Sequence, residues 1–258
     1  MSPISLPAVD AAAIVQVAMD EEAAPFLELT EQAGEALDFG QARIYPRAVQ
    51  TDHGSLPLLL VRSRIGLVNA ATAITAALQI ASRCELVVSA GTAGGLRSDI
   101  NVGDLAVGTD YTYADADATA FGYVRGQVPG MPERFATTPE LLRIAQDAAA
   151  DYRGEGTVFC DTMLAGGSFV TAANVANTRE LFDRAISVDM ETTAIAQVCD
   201  SLRVPFIAVR GISDLCGPAA DQDFHLGVEI VGPRSAALTL DLVKRFSVNS
   251  PTSLKDKP

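Results

Sequence analysis

The stretch VDMETTAIAQVCDSLRVPFIAVRGISD, residues 188–214, decides the fold. Its first residues close a short apolar run at Asp189-Met190-Glu191, and apolar side chains then recur at helical spacing as far as Leu202. Pro205 ends that helix, and residues 206–209 form an unbroken apolar run that is typical of a buried strand. The pattern predicts a strand, a helix and a second strand of an α/β sheet.

Two carboxylates of this stretch stand at the predicted strand ends. Glu191 follows the first strand, and Asp214 follows the second, where Arg210 and Ser213 also appear as the apolar run gives out. Ligands of open α/β sheets bind outside the carboxyl ends of the strands. We therefore expect Glu191 and Asp214 to face one pocket from two neighbouring strands.

The length and composition favour one large α/β domain. The chain has 258 residues, of which 48% are hydrophobic and 20% charged, so it can bury an ample core. We expect a leader at residues 1–13, a catalytic domain at 14–246 and a polar tail at 247–258.

The charge and the cysteines exclude several classes of protein. A net charge of −13 argues against binding nucleic acid, because phosphate contacts need clustered Lys and Arg. The four cysteines lie far apart, with no CxxC pair and only two histidines, so neither a zinc site nor a disulfide framework is indicated. No apolar run approaches the roughly 18 residues that span a bilayer, and the N-terminus has no basic region of an export signal. We expect a cytoplasmic protein without a cofactor and without a membrane partner.

The first half of the chain predicts further strands and helices. Residues 14–19 form an apolar strand, and Asp20-Glu21-Glu22 opens an amphipathic helix, where acidic residues also stabilise the helix dipole. Residues 42–49 and 56–65 predict a strand pair, and Asn69 is a candidate N-cap of a helix rich in small residues.

Two glycine-rich segments follow predicted strands. Residues 91–96, after the strand 85–90, predict a loop whose N–H groups approach a ligand, although it matches neither a dinucleotide-binding nor a Walker motif. The second segment is residues 166–170, after the predicted strand 157–164. It carries Phe169, whose ring is placed either to stack on a planar ligand ring or to join the core. Between them lies a long loop, residues 115–131, and loops of this length are usually functional or part of an interface.

Several motifs together resemble the nucleoside phosphorylase-like superfamily, and within it the 5′-methylthioadenosine/S-adenosylhomocysteine nucleosidases. Besides the opening stretch, they are VAMDEE (17–22), SAGTAGGL (89–96), INVGDL (100–105), DADATAFGY (115–123) and GQVPGMP (126–132). The resemblance covers about residues 14–245. It implies a single three-layer α/β/α domain around a mixed, partly barrel-like central sheet, and a homodimer whose long loop reaches the neighbour's active site.

The resemblance also implies a small-molecule adenine nucleoside as substrate and a role for each matching residue. Asp214 matches the acid that protonates N7 of the purine, Glu22 the base that activates water, and Glu191 the carboxylate that holds the ribose hydroxyls. Six further residues match the positions that contact adenine and ribose in the family, namely Phe169, Val170, Met190, Thr92, Gly94 and Arg210. The apolar lining for a 5′-alkylthio group matches Ile65, Phe121, Pro129 and Phe224, with Phe121 and Pro129 from the partner subunit.

These roles agree with the chemistry of N-glycosidic cleavage, which needs an acid for the leaving base, negative charge near an oxocarbenium-like sugar, and a positioned water. A phosphorylase is the nearest rival, but Asp20, Glu21 and Glu22 stand where phosphorylases carry arginine and would repel phosphate. A futalosine-type nucleosidase is a further alternative.

Some positions depart from the nucleosidase pattern and leave the 5′ specificity open. They are Val17 for glycine, Leu67 for lysine, Ala114 for histidine and Asp189 for glutamate. A nucleoside-binding protein without activity is the alternative of another class, and retention of Glu22, Glu191 and Asp214 together favours an enzyme.

Overall fold

The computed structural model describes residues 7–217 and 220–249, apart from the side chains of 221–226 and 249. In chain order, the strands β1 to β11 are Ala13–Val17, Glu31–Gln32, Leu37–Phe39, Ala42–Thr51, Gly54–Arg62, Leu86–Gly95, Leu105–Tyr113, Phe135–Ala136, Val158–Ala165, Ser187–Asp189 and Phe206–Asp214. The helices α1 to α6 are Asp20–Leu29, Leu67–Ile80, Pro139–Asp151, Val175–Leu181, Thr192–Leu202 and Ala220–Asn249, and a 3₁₀ turn covers Thr119–Phe121.

The strands form one mixed sheet that closes on itself at one end. Its order is β10-β9-β7-β11-β6-β1-β5-β4-β2, and β10 also pairs with β6. Strands β6, β11, β7, β9 and β10 therefore form a closed ring of five, from which β1, β5 and β4 continue as an open extension. This is the mixed, partly barrel-like sheet that the resemblance implies.

Helices cover both faces of the sheet. Small and branched residues of α2 and α5, among them Ala73, Ile74 and Ile195, pack into one buried core cluster. A second cluster joins the other face of the sheet to α1, α3 and α6 through residues such as Phe26, Leu141 and Leu242. Each large aliphatic side chain buried in this way stabilises the fold by about 1.5–3 kcal/mol. The result is three layers, with the sheet between two layers of helices.

The sheet brings several strand ends to one place. Strands β1, β6 and β11 are parallel neighbours, so their carboxyl ends lie at the same edge. Strand β10 crosses the end of β6 in the antiparallel sense, with Val188 opposite Gly94. The residues that follow β1, β10 and β11 therefore meet around the end of β6.

Three local predictions were wrong. Residues 91–95 continue β6 instead of forming a loop, because β10 and β11 both pair with this part of the strand. Glu191 and Asp214 do not come from neighbouring strands, since β6 lies between β10 and β11. Asn69 is not the N-cap of α2, which begins at Leu67, and its amide instead donates to the carbonyl of Ile65 at 2.8 Å.

The remaining predicted elements have the expected type. Helix α3 spans Pro139–Asp151 as predicted, with proline at its first position, where a missing N–H costs nothing. The chain closes with α6, which packs against β11 and β6. No helix in the described part of the chain combines the length and the apolarity that crossing a membrane requires.

Candidate active site

A pocket opens where these strand ends meet. Glu22, Glu191 and Asp214, which are far apart in the sequence, all line it. All three are buried residues of the fold. Of the other predicted site residues, the pocket lining includes Ile65, Thr92, Gly94, Phe169, Val170 and Met190.

Four donors surround the Glu22 carboxylate. Its Oε2 accepts hydrogen bonds from the backbone N–H groups of Ala18 at 2.9 Å and Met19 at 3.1 Å. Its Oε1 accepts from the N–H of Thr92 at 2.8 Å and from the Thr92 hydroxyl at 2.9 Å. A carboxylate has about four lone-pair positions, so a water molecule that bonds to Glu22 must replace one of these donors. The Thr92 hydroxyl is the donor that can rotate away.

The Asp214 carboxyl lies at the end of β11. Its Oδ1 accepts from the N–H of Cys216 at 2.8 Å, and its Oδ2 accepts from the Ser213 hydroxyl at 3.1 Å. Ser213 directly precedes Asp214 and Cys216 follows it by two residues, so the end of β11 and the turn after it hold the carboxyl. Gly94 on β6 packs against it, because a Cβ at that position would lie 3.1 Å from Asp214 Oδ1 and 2.5 Å from Cys216 Sγ.

The Glu191 carboxyl is buried beside charged neighbours. Its Oε1 accepts from the N–H of Gly66 at 2.8 Å, and its Oε2 lies 3.9 Å from a guanidinium nitrogen of Arg210. Burial raises the pKa of Glu191 to about 8, and the charge of Asp189 adds to the rise, while Arg210 opposes it. Desolvation dominates because the charged form loses its hydration.

Arg210 lies under the pocket and not on its surface. Its guanidinium donates to the carbonyl of Ala90 at 2.8 Å and to the hydroxyls of Ser89 at 2.8 Å and Thr192 at 2.9 Å. It also forms an ion pair of 3.1 Å with Asp189. The arginine is thus close to Glu191, as predicted, but protein groups already occupy its donors.

Asp189 is a buried residue to which sequence reasoning gave no role in the site. Its Oδ1 accepts from the N–H groups of Glu191 at 2.9 Å and Thr192 at 2.8 Å, which caps the start of α5. Its Oδ2 accepts from the Thr192 hydroxyl and pairs with Arg210. Asp189 stands two residues before Glu191 at a helix start, and this position indicates a helix cap but not the ion pair with Arg210.

Ser213 and Cys216 also line the pocket without having been predicted as site residues. Burial, with the neighbouring Asp214 charge, raises the pKa of the Cys216 thiol to about 12. Cys216 is therefore a neutral side chain beside Asp214 at ordinary pH.

The apolar part of the pocket holds Ile65, Met190, Phe169 and Val170. Val170 is buried, whereas Ile65 and Phe169 are about half exposed. An aromatic ring in this position can stack on a flat heterocycle.

Phe121 and Pro129 lie outside the pocket of their own chain. Both are exposed on the long loop, and the Phe121 side chain is 83% accessible. Phe224 belongs to the positions whose side chains lie outside the described residues.

The model of the phosphorylase superfamily matches residues 12–246. The 5′-methylthioadenosine/S-adenosylhomocysteine nucleosidase of Bacillus velezensis is 35% identical over 190 residues, which are 73% of this chain and 81% of that protein.

Two solved structures show the same fold. The 5′-methylthioadenosine/S-adenosylhomocysteine nucleosidase from Neisseria meningitidis, in complex with methylthio-immucillin-A, aligns with a TM-score of 0.84 at 34% identity and covers 90% of this chain and 98% of its own. The futalosine hydrolase of Helicobacter pylori aligns with a TM-score of 0.81 at 25% identity, over 90% of this chain and 97% of its own.

Proposed function

The chain belongs to the phosphorylase superfamily and, within it, to the 5′-methylthioadenosine/S-adenosylhomocysteine nucleosidases, and on that premise we propose that it hydrolyses the N-glycosidic bond of 5′-methylthioadenosine and S-adenosylhomocysteine. The products are adenine and the 5′-substituted ribose. The observation that carries the proposal is the convergence of Glu22, Glu191 and Asp214 on one pocket.

Asp214 is the proposed acid. In its protonated form it donates a proton to N7 of adenine, so the base leaves neutral. Hydrogen bonds from the Cys216 N–H and the Ser213 hydroxyl hold the carboxyl at the pocket wall. Phe169 lies in the same pocket and offers a ring face for the purine.

Glu191 is the proposed ligand of the ribose hydroxyls. In the empty pocket its raised pKa keeps much of it protonated near neutral pH. Hydroxyl groups of the sugar that donate to the carboxylate favour its ionised form. The resulting negative charge stabilises the positive sugar of an oxocarbenium-like transition state.

Glu22 is the proposed base. It accepts a proton from the water that attacks the anomeric carbon of the sugar. Rotation of the Thr92 hydroxyl away from Glu22 Oε1 frees the lone pair that this water needs, and the three backbone N–H groups keep the carboxylate in place meanwhile. Thr92 is thereby proposed to help position the water.

Water is favoured over phosphate as the second substrate. Phosphate binding requires free cationic or N–H donors, and Arg forks are the usual choice. Among the described residues that line the pocket there is no lysine or arginine, and the nearby Arg210 is held by Ala90, Ser89 and Thr192. The carboxylates of Glu22 and Glu191 in the same pocket repel a phosphate dianion further.

Futalosine hydrolysis is the second candidate for the same site. It is favoured by the structural likeness to a futalosine hydrolase and by the departures at Leu67 and Ala114, which leave the 5′ specificity open. The pocket chemistry at the purine and ribose ends is compatible with both substrates.

A homodimer is proposed as the functional unit. Phe121 on the long loop, Val68 on α2 and Leu202 at the end of α5 are large apolar side chains that this chain leaves exposed. Val68 and Leu202 line one shallow groove between α2 and α5, and contiguous exposed apolar surface marks interaction sites. In the proposed dimer, Phe121 and Pro129 line the 5′ end of the neighbour's pocket.

The cellular location and the domain limits are proposals as well. All four cysteines are free thiols, which suits a reducing cytoplasm. The catalytic domain at residues 14–246 agrees closely with the family match at 12–246.

The test is a product analysis with the purified protein and 5′-methylthioadenosine, with and without inorganic phosphate. We expect adenine and free 5-methylthioribose in equal amounts at a rate that phosphate does not change. Formation of the sugar 1-phosphate only with phosphate would establish a phosphorylase. Binding of the nucleoside without release of adenine would establish a binding protein, and cleavage of futalosine alone would establish the second candidate.

A further inference from the structure

Arg64 has an unusual backbone conformation directly before Ile65, which lines the pocket and is half exposed, so the two residues lie at the mouth of the pocket. Its φ is 72°, and among the described residues other than glycine only Arg203 and Cys216 also have positive φ. This region is costly for a residue with a side chain, and such outliers cluster at functional sites. Glycine would adopt this conformation without strain. The arginine side chain is therefore present at a cost in backbone strain.

Two segments run side by side at this mouth. The N–H of Arg64 donates to the carbonyl of Ala18 at 3.0 Å. The next residue along each segment, Ile65 and Met19, lines the pocket. Arg64 therefore directly precedes one lining residue, and Asp20 directly follows the other.

The side chains of Arg64 and Asp20 form an ion pair of 3.3 Å. They are 50% and 60% exposed, so water screens the pair and it can exchange partners at little cost. Asp20 is also held by Arg62 at 3.0 Å, and Arg62 is buried and bonded to the carbonyl of Gln41. Asp20 thus stays anchored when Arg64 turns to another anion.

We propose that Arg64 and Asp20 receive the zwitterionic amino-acid end of S-adenosylhomocysteine. The inference rests on the proposed function and on the match of Ile65, which lines the pocket, to the lining for the 5′-alkylthio group. A 5′-methylthio group ends at Ile65, whereas a homocysteine tail continues beyond it with one carboxylate and one ammonium group. Arg64 presents the guanidinium for the carboxylate, and Asp20 presents the carboxylate for the ammonium. The pair acts on the longer substrate and sets the preference between the two.

The test compares Arg64→Gly with wild type on three substrates at low ionic strength. They are 5′-methylthioadenosine, 5′-butylthioadenosine and S-adenosylhomocysteine, and the butyl compound has a long tail without charges. Arg203→Gly is the matched control, because it also removes an exposed arginine with positive φ, at the end of α5 and outside the pocket lining. Glycine tolerates positive φ, so both variants relieve backbone strain and should fold. A change in kcat/KM is then not due to loss of folding.

We expect kcat/KM for S-adenosylhomocysteine, divided by that for 5′-methylthioadenosine, to fall roughly three- to fivefold in Arg64→Gly and to stay constant in Arg203→Gly. The ratio of kcat/KM for 5′-butylthioadenosine to that for 5′-methylthioadenosine should stay constant in Arg64→Gly. In wild type, salt of about 1 M should lower the first ratio toward that of Arg64→Gly, because it screens exposed charges.

An unchanged ratio in Arg64→Gly would overturn the inference, and so would an equal fall of the butylthio ratio. If wild type releases adenine from none of the three substrates, the proposed function itself fails. If wild type cleaves the substrates but the kcat/KM ratios are the same in Arg64→Gly, only the role of Arg64 is refuted and the proposed function stands.

Discussion

Glu191 is the carboxyl whose protonation the fold changes most clearly. Its pKa rises from 4.5 to about 8, with burial as the largest cause. Between these values the unfolded chain releases a proton that the folded chain keeps. The free energy of unfolding therefore decreases as the pH rises from about 4.5 to 8 and loses nothing more from this group above that range.

Replacement of Glu191 by glutamine removes this titration. We expect the unfolding midpoint of Glu191→Gln, relative to wild type, to rise between pH 5 and pH 8 by roughly 3 °C or more, and then to level off. Thermal unfolding followed by circular dichroism over pH 5–9 measures it. Glu21→Gln, at an exposed position of α1, is the control and should show no such trend. A difference for Glu191→Gln that is constant with pH would contradict the burial argument.

The sequence revealed the acidic residues of the site, because each stands where an element begins or ends. It did not reveal Asp189 as their support. Its contacts with Arg210 and with the N–H of Thr192 depend on a helix start and a strand that only the folded sheet brings together. A polar residue with a structural role has no signature in the sequence that separates it from a helix cap.

At the scale of the element, Asp189 connects the start of α5 to β11. Replacing it with asparagine leaves the buried Arg210 guanidinium without its nearest anion. We expect Asp189→Asn to lower the free energy of unfolding by about 3–5 kcal/mol, as when one partner of a buried ion pair is removed. Urea unfolding measures the change. Asp147→Asn, in an exposed i,i+4 pair with Arg143, should change it by less than about 1 kcal/mol.

A second prediction concerns Gly91 on strand β6. Gly91 has a φ of 129°, and a Cβ there would lie 2.6 Å from Glu22 Cδ and 2.7 Å from a guanidinium nitrogen of Arg210. Gly91→Ala must displace the proposed base, so we expect kcat to fall at least about 100-fold. Adenine release measures it. Gly217→Ala, where a Cβ meets nothing within 4 Å, is the control. Full activity of Gly91→Ala would mean that the position of Glu22 is not critical.

Hydrophobic periodicity in the sequence predicted whether most elements are helices or strands. Where a strand begins and ends depends on its pairing with other strands. Residues 91–95 carry the glycines of a loop and yet form strand, because β10 and β11 supply partners on both sides. Pairing between residues distant in sequence overrides local preference here. The same pairing invalidated the expectation that Glu191 and Asp214 come from adjacent strands.

At the scale of the whole molecule, the proposed dimer predicts complementation between two defective variants. Phe121→Ala impairs the neighbour's pocket, and Asp214→Asn impairs its own. In a mixed dimer, one of the two sites has a native Asp214 and a native Phe121 from the partner. We expect an equal mixture, after subunit exchange, to recover about a quarter of the wild-type activity per site. Activity equal to the mean of the separate variants, or a monomer in sedimentation, would contradict this arrangement.

The closure of the sheet could not have come from patterns within the chain. It depends on the pairing of β10 with β6, which involves only two residues of each strand. The resemblance to a known superfamily supplied that expectation, whereas composition supplied only the class. The exposed loop with Phe121 was recognisable from its length, and its place in the molecule was not.

In the proposed mechanism, Asp214 gives its proton to the leaving adenine. Single-turnover release of adenine from 5′-methylthioadenosine by Asp214→Asn tests it most directly, with the unfolding midpoint measured to show an intact fold. We expect a rate at least about 100-fold below that of wild type, since general acid catalysis accelerates reactions on the order of 10²–10⁴-fold. A rate within about threefold of wild type would contradict it.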